Sequence, residues 1–201
     1  YYLISSIASF LSIVLPFSFF LFFGKRKLSD TVLVEKNGVL NSVLLVFAGL
    51  AVSVLMNIPA NLISQLLEGA GLNGDANTAD LLAMTPVQAL TMFVSVVLVA
   101  PGTEEFAFRS VTTAVMRRWG DWPAVIFSAL IFGMAHYSIQ SLPVVLTAGF
   151  VMALLYVRTR NIWVNIFVHM LNNLLATLPI ALEGLVGADA ANIASNLLTY
   201  I

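Results

Sequence analysis

The chain has 201 residues, 60% hydrophobic and 9% charged, with a net charge of -1 and no cysteine. A mean hydropathy of +0.96 places it in lipid. The few Lys and Arg form no basic stripe, which argues against nucleic acid, and the lack of cysteine excludes thiol nucleophiles, disulfides and thiolate metal sites.

A span needs roughly 20 apolar residues to cross the hydrocarbon core. The apolar runs predict helices near 1–23, 39–67, 86–117, 123–138, 142–157 and 161–181, an all-α polytopic bundle of about six transmembrane spans forming one domain over 1–201. The connection at 68–85, with Gly69, Gly71 and Gly74, reads as a plain link or an outer lid. The run at 188–201 is too short to span and reads as an interfacial helix or a truncated seventh span. The chain opens on Tyr1-Tyr2 without an initiator Met, so a preceding segment is left open.

Basic residues fall in alternate connections: Lys25, Arg26, Lys27 and Lys36, then Arg117 and Arg118, then Arg158 and Arg160. The other connections carry carboxylates and no Lys or Arg, so the basic ones are expected in the cytoplasm, with Trp119, Trp122 and Trp163 at that interface. The short loops suggest a prokaryotic plasma membrane. Arg109 is the remaining basic residue, and it falls inside the third span.

That span contains Pro101-Gly102-Thr103-Glu104-Glu105 and then Arg109. Each charge at such depth costs about 2.5–3.5 kcal/mol, so each needs a partner or water. Glu105 and Arg109, four apart, share a helix face as an ion pair, while Glu104 points roughly 100° away toward a cavity. Pro101-Gly102 is expected to break the helix and leave Thr103 as N-cap of a half-helix. The plain reading is an ordinary helix start with a structural ion pair. A rise of ~1.5 Å per residue back from Arg118 puts Glu104 about 20 Å deep, which weakens it.

Both histidines lie in apolar helices, His136 four after Phe132 and His169 four before Asn173. The same rise brings Glu104, His136 and His169 to overlapping depths. Asn173 shares the His169 face and offers an amide donor, and Asn172 is turned aside. Hydrogen bonding between helices is the plain alternative for each of these side chains.

Glu104-Glu105 to Arg109, Phe132 to His136, and His169 to Asn173, on successive spans, resemble the motifs of the CAAX protease and bacteriocin-processing (CPBP, or Abi) family of intramembrane endopeptidases. The resemblance covers about 86–181, the catalytic core it implies. It implies that Glu104 activates a water with His136, that His169 and Asn173 stabilise the oxyanion, and that Glu105, Arg109 and Phe132 support the site. Ser110 departs from the Gly that many members carry after the Arg. A zinc held by Glu104, His136 and His169 is the alternative mechanism, so the cofactor expectation is none or Zn²⁺. No His-Glu-x-x-His helix or Gly-x-Ser-x-Gly elbow is present to support a zincin or a serine hydrolase.

The expected activity is hydrolysis of a peptide or protein, prenylated or otherwise membrane-anchored, reached from the bilayer or its cytoplasmic face. The family name points to prenylated C-termini or to bacteriocin immunity. A non-proteolytic immunity or scaffold protein is the competing reading, and a transporter built on a broken third span is another, without internal repeats to support it.

Overall fold

The computed structural model describes residues 2–72 and 85–186, with 189, 192 and 193. The readings of an outer lid and of the tail at 188–201 fall largely outside the described residues. The chain forms α1 (Tyr2–Phe23), α2 (Leu28–Thr31), α3 (Val39–Gly69), α4 (Pro86–Trp119), α5 (Asp121–Met134), α6 (Leu142–Thr159) and α7 (Ile162–Val186). No strand forms among the described residues beyond one bridge between Val34 and Asn161. Four helices, α3, α4, α6 and most of α7, are long and apolar enough to cross a membrane. Their outer faces expose large apolar side chains, among them Phe47 and Leu62 of α3, Leu98 of α4 and Phe167 of α7. A protein with such a surface is an integral membrane protein.

Local chemistry sets several helix ends. Thr85 and Gln88 form a capping box at the start of α4, with Pro86 in the first turn. Gly38, at φ 74°, turns the chain into α3. The fourth predicted span runs short: α5 ends at Met134, and its 14 residues cover about 21 Å. Tyr137 follows in the left-handed region at φ 52°, which an α-helix cannot continue through. His136 therefore sits in the turn after α5 and not within a helix.

A second departure concerns α4, which is unbroken. Val94–Val99 is π-helical, Ala100–Glu104 α-helical, Glu105–Thr112 π-helical again, and the rod closes through Thr113–Met116 and a 3₁₀ turn. Val99, Ala100, Glu104 and Glu105 all keep right-handed helical angles, and Thr103 makes no cap. Its hydroxyl donates back to the Ala100 carbonyl at 2.9 Å. In the wide turn before Pro101, the Ala100 N–H reaches the Ser95 carbonyl, five residues back. The next acceptor in that register is Val96, and its donor would be residue 101, a proline without an N–H. Asn173 on α7 supplies the donor, its Nδ2 lying 2.9 Å from the Val96 oxygen. The proline is thus absorbed by a π turn and a side-chain hydrogen bond. The transporter reading loses the broken helix that motivated it.

Close packing then sets the frame of the site. A Cβ on Gly133 would lie 2.6 Å from Leu146 Cδ2, so α5 approaches α6 closely there. Gly149 of α6 makes room for the Phe132 ring, whose Cδ1 would stand 2.9 Å from an added Cβ. Phe132 is buried with Ala107 and Phe108 of α4 against Ile13 and Phe17 of α1. The connection from α2 to α3 is a strap tied to the α6–α7 turn. Ile162 N donates to Leu33 O and Glu35 N to Arg160 O, each at 2.9 Å. The Tyr156 hydroxyl accepts from Leu33 N and donates to Thr31 O, both at 3.1 Å.

Candidate active site

The second π segment carries Glu105 and Arg109 inward, both 0% exposed, with Nε 3.3 Å from Oε2. The predicted pair forms, but none of the three Arg109 nitrogens makes a directed hydrogen bond among the described residues. Its guanidinium lies 4.1 Å from the centre of the Phe132 ring, so the cation rests on a carboxylate and an aromatic face. Glu105 has further partners on α7. Its Oε1 is 2.9 Å from His169 Nδ1, and its Oε2 accepts from Asn165 Nδ2 at 3.2 Å. That same amide donates to the Met152 carbonyl of α6 at 2.6 Å. One carboxylate therefore gathers α4, α6 and α7, as a charge buried in the bilayer requires.

A carboxylate facing Nδ1 places the imidazole proton on that nitrogen and leaves Nε2 for the opposite side. There Glu104 Oε2 stands 3.7 Å away, too far for a direct hydrogen bond. The Glu104 side chain is 16% exposed, against 0% for Glu105, so it is the more accessible of the two carboxylates.

Phe132 links the two histidines, its ring centre 5.7 Å from that of His169 and 4.7 Å from that of His136. His136 is exposed, and its Nδ1 donates to the Phe132 carbonyl at 2.9 Å, capping the end of α5. No hydrogen bond or ion pair joins it to Glu104 among the described residues. Glu104, Glu105, Arg109, Phe132 and His169 thus form one cluster, and His136 touches it through Phe132. Asn173 lies one turn beyond His169, bound to Val96.

Residues 86–175 match the family model of the type II CAAX prenyl endopeptidase Rce1-like proteins. Over 140 residues the chain is 31% identical to a Bacillus subtilis (strain 168) protein named "Putative membrane peptidase YdiL", a match spanning 69% of this chain and 57% of that relative. Both comparisons support a protease of the CPBP family. It spans little more than half the length of the curated relative it matches. No solved structure matches.

The CPBP match takes in all three motifs and the whole cluster. It also takes in Asn165, which the motif reading passed over although Asn165, His169 and Asn173 recur every four residues on one face of α7. The zinc alternative requires Glu104, His136 and His169 to converge, and no group of three His, Asp or Glu side chains does so among the described residues. The residues present do not form that ligand set.

Proposed function

We propose that the protein is an intramembrane endopeptidase of the CAAX-protease type that hydrolyses a peptide bond with a water activated by Glu104. The observation that carries this reading is His169, buried within a membrane helix and flanked by Glu105 at 2.9 Å and Glu104 at 3.7 Å. A structural histidine between helices needs one partner. Here a buried carboxylate orients the ring, and a partly exposed carboxylate faces its other nitrogen across 3.7 Å, an arrangement suited to acid–base chemistry.

In this mechanism Glu104 takes a proton from water as the oxygen attacks the carbonyl carbon. The tetrahedral intermediate collapses, the C–N bond breaks, and the proton passes to the leaving amine. The His136 Nδ1–H is spent on the Phe132 carbonyl, its Nε2 has no hydrogen-bond partner among the described residues, and it relays that proton. Asn173 keeps a second N–H beyond the one on Val96 and donates it to the oxyanion, while His169, its Nδ1–H held by Glu105, turns Nε2 toward Glu104. Glu105, Arg109 and Phe132 hold the geometry. The substrate is a peptide or protein end held in or at the membrane, prenylated or otherwise anchored, and the basic connections face the cytoplasm.

The test is cleavage of membrane-anchored peptides by purified protein in detergent or vesicles. Wild type cleaves, Glu104→Ala does not, and a chelator leaves the rate unchanged. Full cleavage by Glu104→Ala would sink the proposal, and loss of cleavage with chelator would return the reaction to a metal.

A further inference from the structure

Away from the cluster, a cavity of about 670 Å³ opens between α3 and α7 and is closed at one end by the strap. The two helices touch where Gly49 leaves room for Val168, whose Cγ2 would lie 3.0 Å from an added Cβ. Beside that contact they leave an apolar wall that includes Val43, Phe47, Phe167 and Leu171. Phe47 and Phe167 are 62% and 50% exposed, so the groove faces the bilayer. Its mouth carries Glu35, Lys36 and Asn37.

Charge decides what sits there. Glu35 is neutralised by Arg160 across the strap. The Asn37 amide is spent on the Thr159 carbonyl at 3.2 Å. Lys36 has no ion pair among the described residues and stands exposed at the rim. The same connection holds Lys25, Arg26 and Lys27, so the mouth of an apolar groove lies on a basic interfacial segment. One face apolar and membrane-deep, the other cationic and at headgroup level, matches a lipid whose tail is hydrocarbon and whose head is an anion.

We infer that this groove is a binding site for an anionic phospholipid of the bilayer, with an acyl chain between α3 and α7 and the phosphate at Lys36. The site is independent of the cleavage reaction, since its walls share no residue with the Glu105 cluster. Its occupant braces the strap against α7.

Quenching of a tryptophan by phospholipids brominated on the acyl chain tests this. Trp119, Trp122 and Trp163 are changed to Phe, and the reporter is Phe167→Trp in the groove or Leu62→Trp on the exposed face of α3. Vesicles of brominated phosphatidylglycerol should quench the groove reporter at about one-fifth the mole fraction that brominated phosphatidylcholine needs, the ratio a single Lys near an anionic surface supplies. The Leu62→Trp reporter should show no such preference, and Lys36→Gln should erase it at the groove. Equal ratios at the two reporters, or a ratio untouched by Lys36→Gln, would overturn the inference. Relief of quenching by a stoichiometric lipidated peptide would assign the groove to substrate and overturn it too. As a second measurement independent of the Trp replacements, phosphatidylglycerol retained through detergent exchange should be enriched in wild type over Lys36→Gln, and equal retention counts against the site.

Discussion

His169 and His136 contact the same ring, at 5.7 Å and 4.7 Å from the centre of Phe132, yet the molecule holds them by different means. His169 is 3% exposed in the middle of α7, tied to a carboxylate that also carries Arg109 and Asn165. His136 is exposed beyond the end of α5, and its one hydrogen bond among the described residues goes to a backbone carbonyl. The first is part of what joins three helices. The second is placed by a helix end, with its other nitrogen unpaired among those residues. In the proposed mechanism, stability and chemistry are fused at one histidine and separable at the other.

The largest expected effect comes from attacking the fused side. Glu105→Ala leaves Arg109 as a buried cation without its carboxylate and should cost about 3–5 kcal/mol, as removal of one partner of a buried pair does. It should lower the melting temperature in detergent and abolish cleavage together. Replacing Glu105 and Arg109 jointly with Gln and Met should restore much of the stability and none of the activity. An unchanged melting temperature in Glu105→Ala would show that the cluster does not hold the helices.

On the separable side, His136→Ala should lower the cleavage rate by about 10²–10⁴-fold, the usual range for a proton-transfer group. Its melting temperature should stay near wild type, since the side chain is exposed. His169→Ala should lose activity and stability at once. If the two alanine variants melt alike, the contrast between the histidines is wrong.

The shared ring offers a subtler lever. In Gly149→Val the new side chain meets Phe132, whose Cδ1 is 2.9 Å from the Cβ position, and the ring must shift. Both histidines move with it, and a displacement near 1 Å should reduce cleavage about 10²-fold. Gly149→Ala should fall between this variant and wild type. Equal rates in all three would mean that Phe132 does not position the histidines.

Much of this was legible in the chain because membrane helices advertise themselves through apolar length. Glu105 and Arg109 were readable from a four-residue spacing, and the three motifs marked the helices that meet. Asn165 was missed although the same spacing ties it to His169, because an amide in an apolar run looks like any interhelical hydrogen bond. The position of His136 was misread because Tyr137, not a glycine, takes the left-handed turn that ends α5. Pro101-Gly102 pointed to a break because sequence rules treat proline as a terminator. What they do not encode is a donor arriving from another helix, and Asn173 is that donor.

That last point sets the smallest predicted effect and the sharpest test of how α4 stays whole. Asn173→Ala deprives the Val96 carbonyl of its donor and should cost about 1 kcal/mol of stability, the net value of one such bond. Pro101→Ala restores a backbone N–H in the register that serves Val96, so in that background Asn173→Ala should cost much less. The double-mutant cycle should then show a coupling of about 0.5 kcal/mol or more between two residues on different helices, read from melting curves of the four proteins. Cleavage separates the two roles of Asn173. If the amide only supports Val96, Pro101→Ala rescues both the stability and the activity of Asn173→Ala. If its second N–H also serves the oxyanion, stability returns and activity does not. Additive costs across the cycle would mean that the π turn tolerates Pro101 without help from α7.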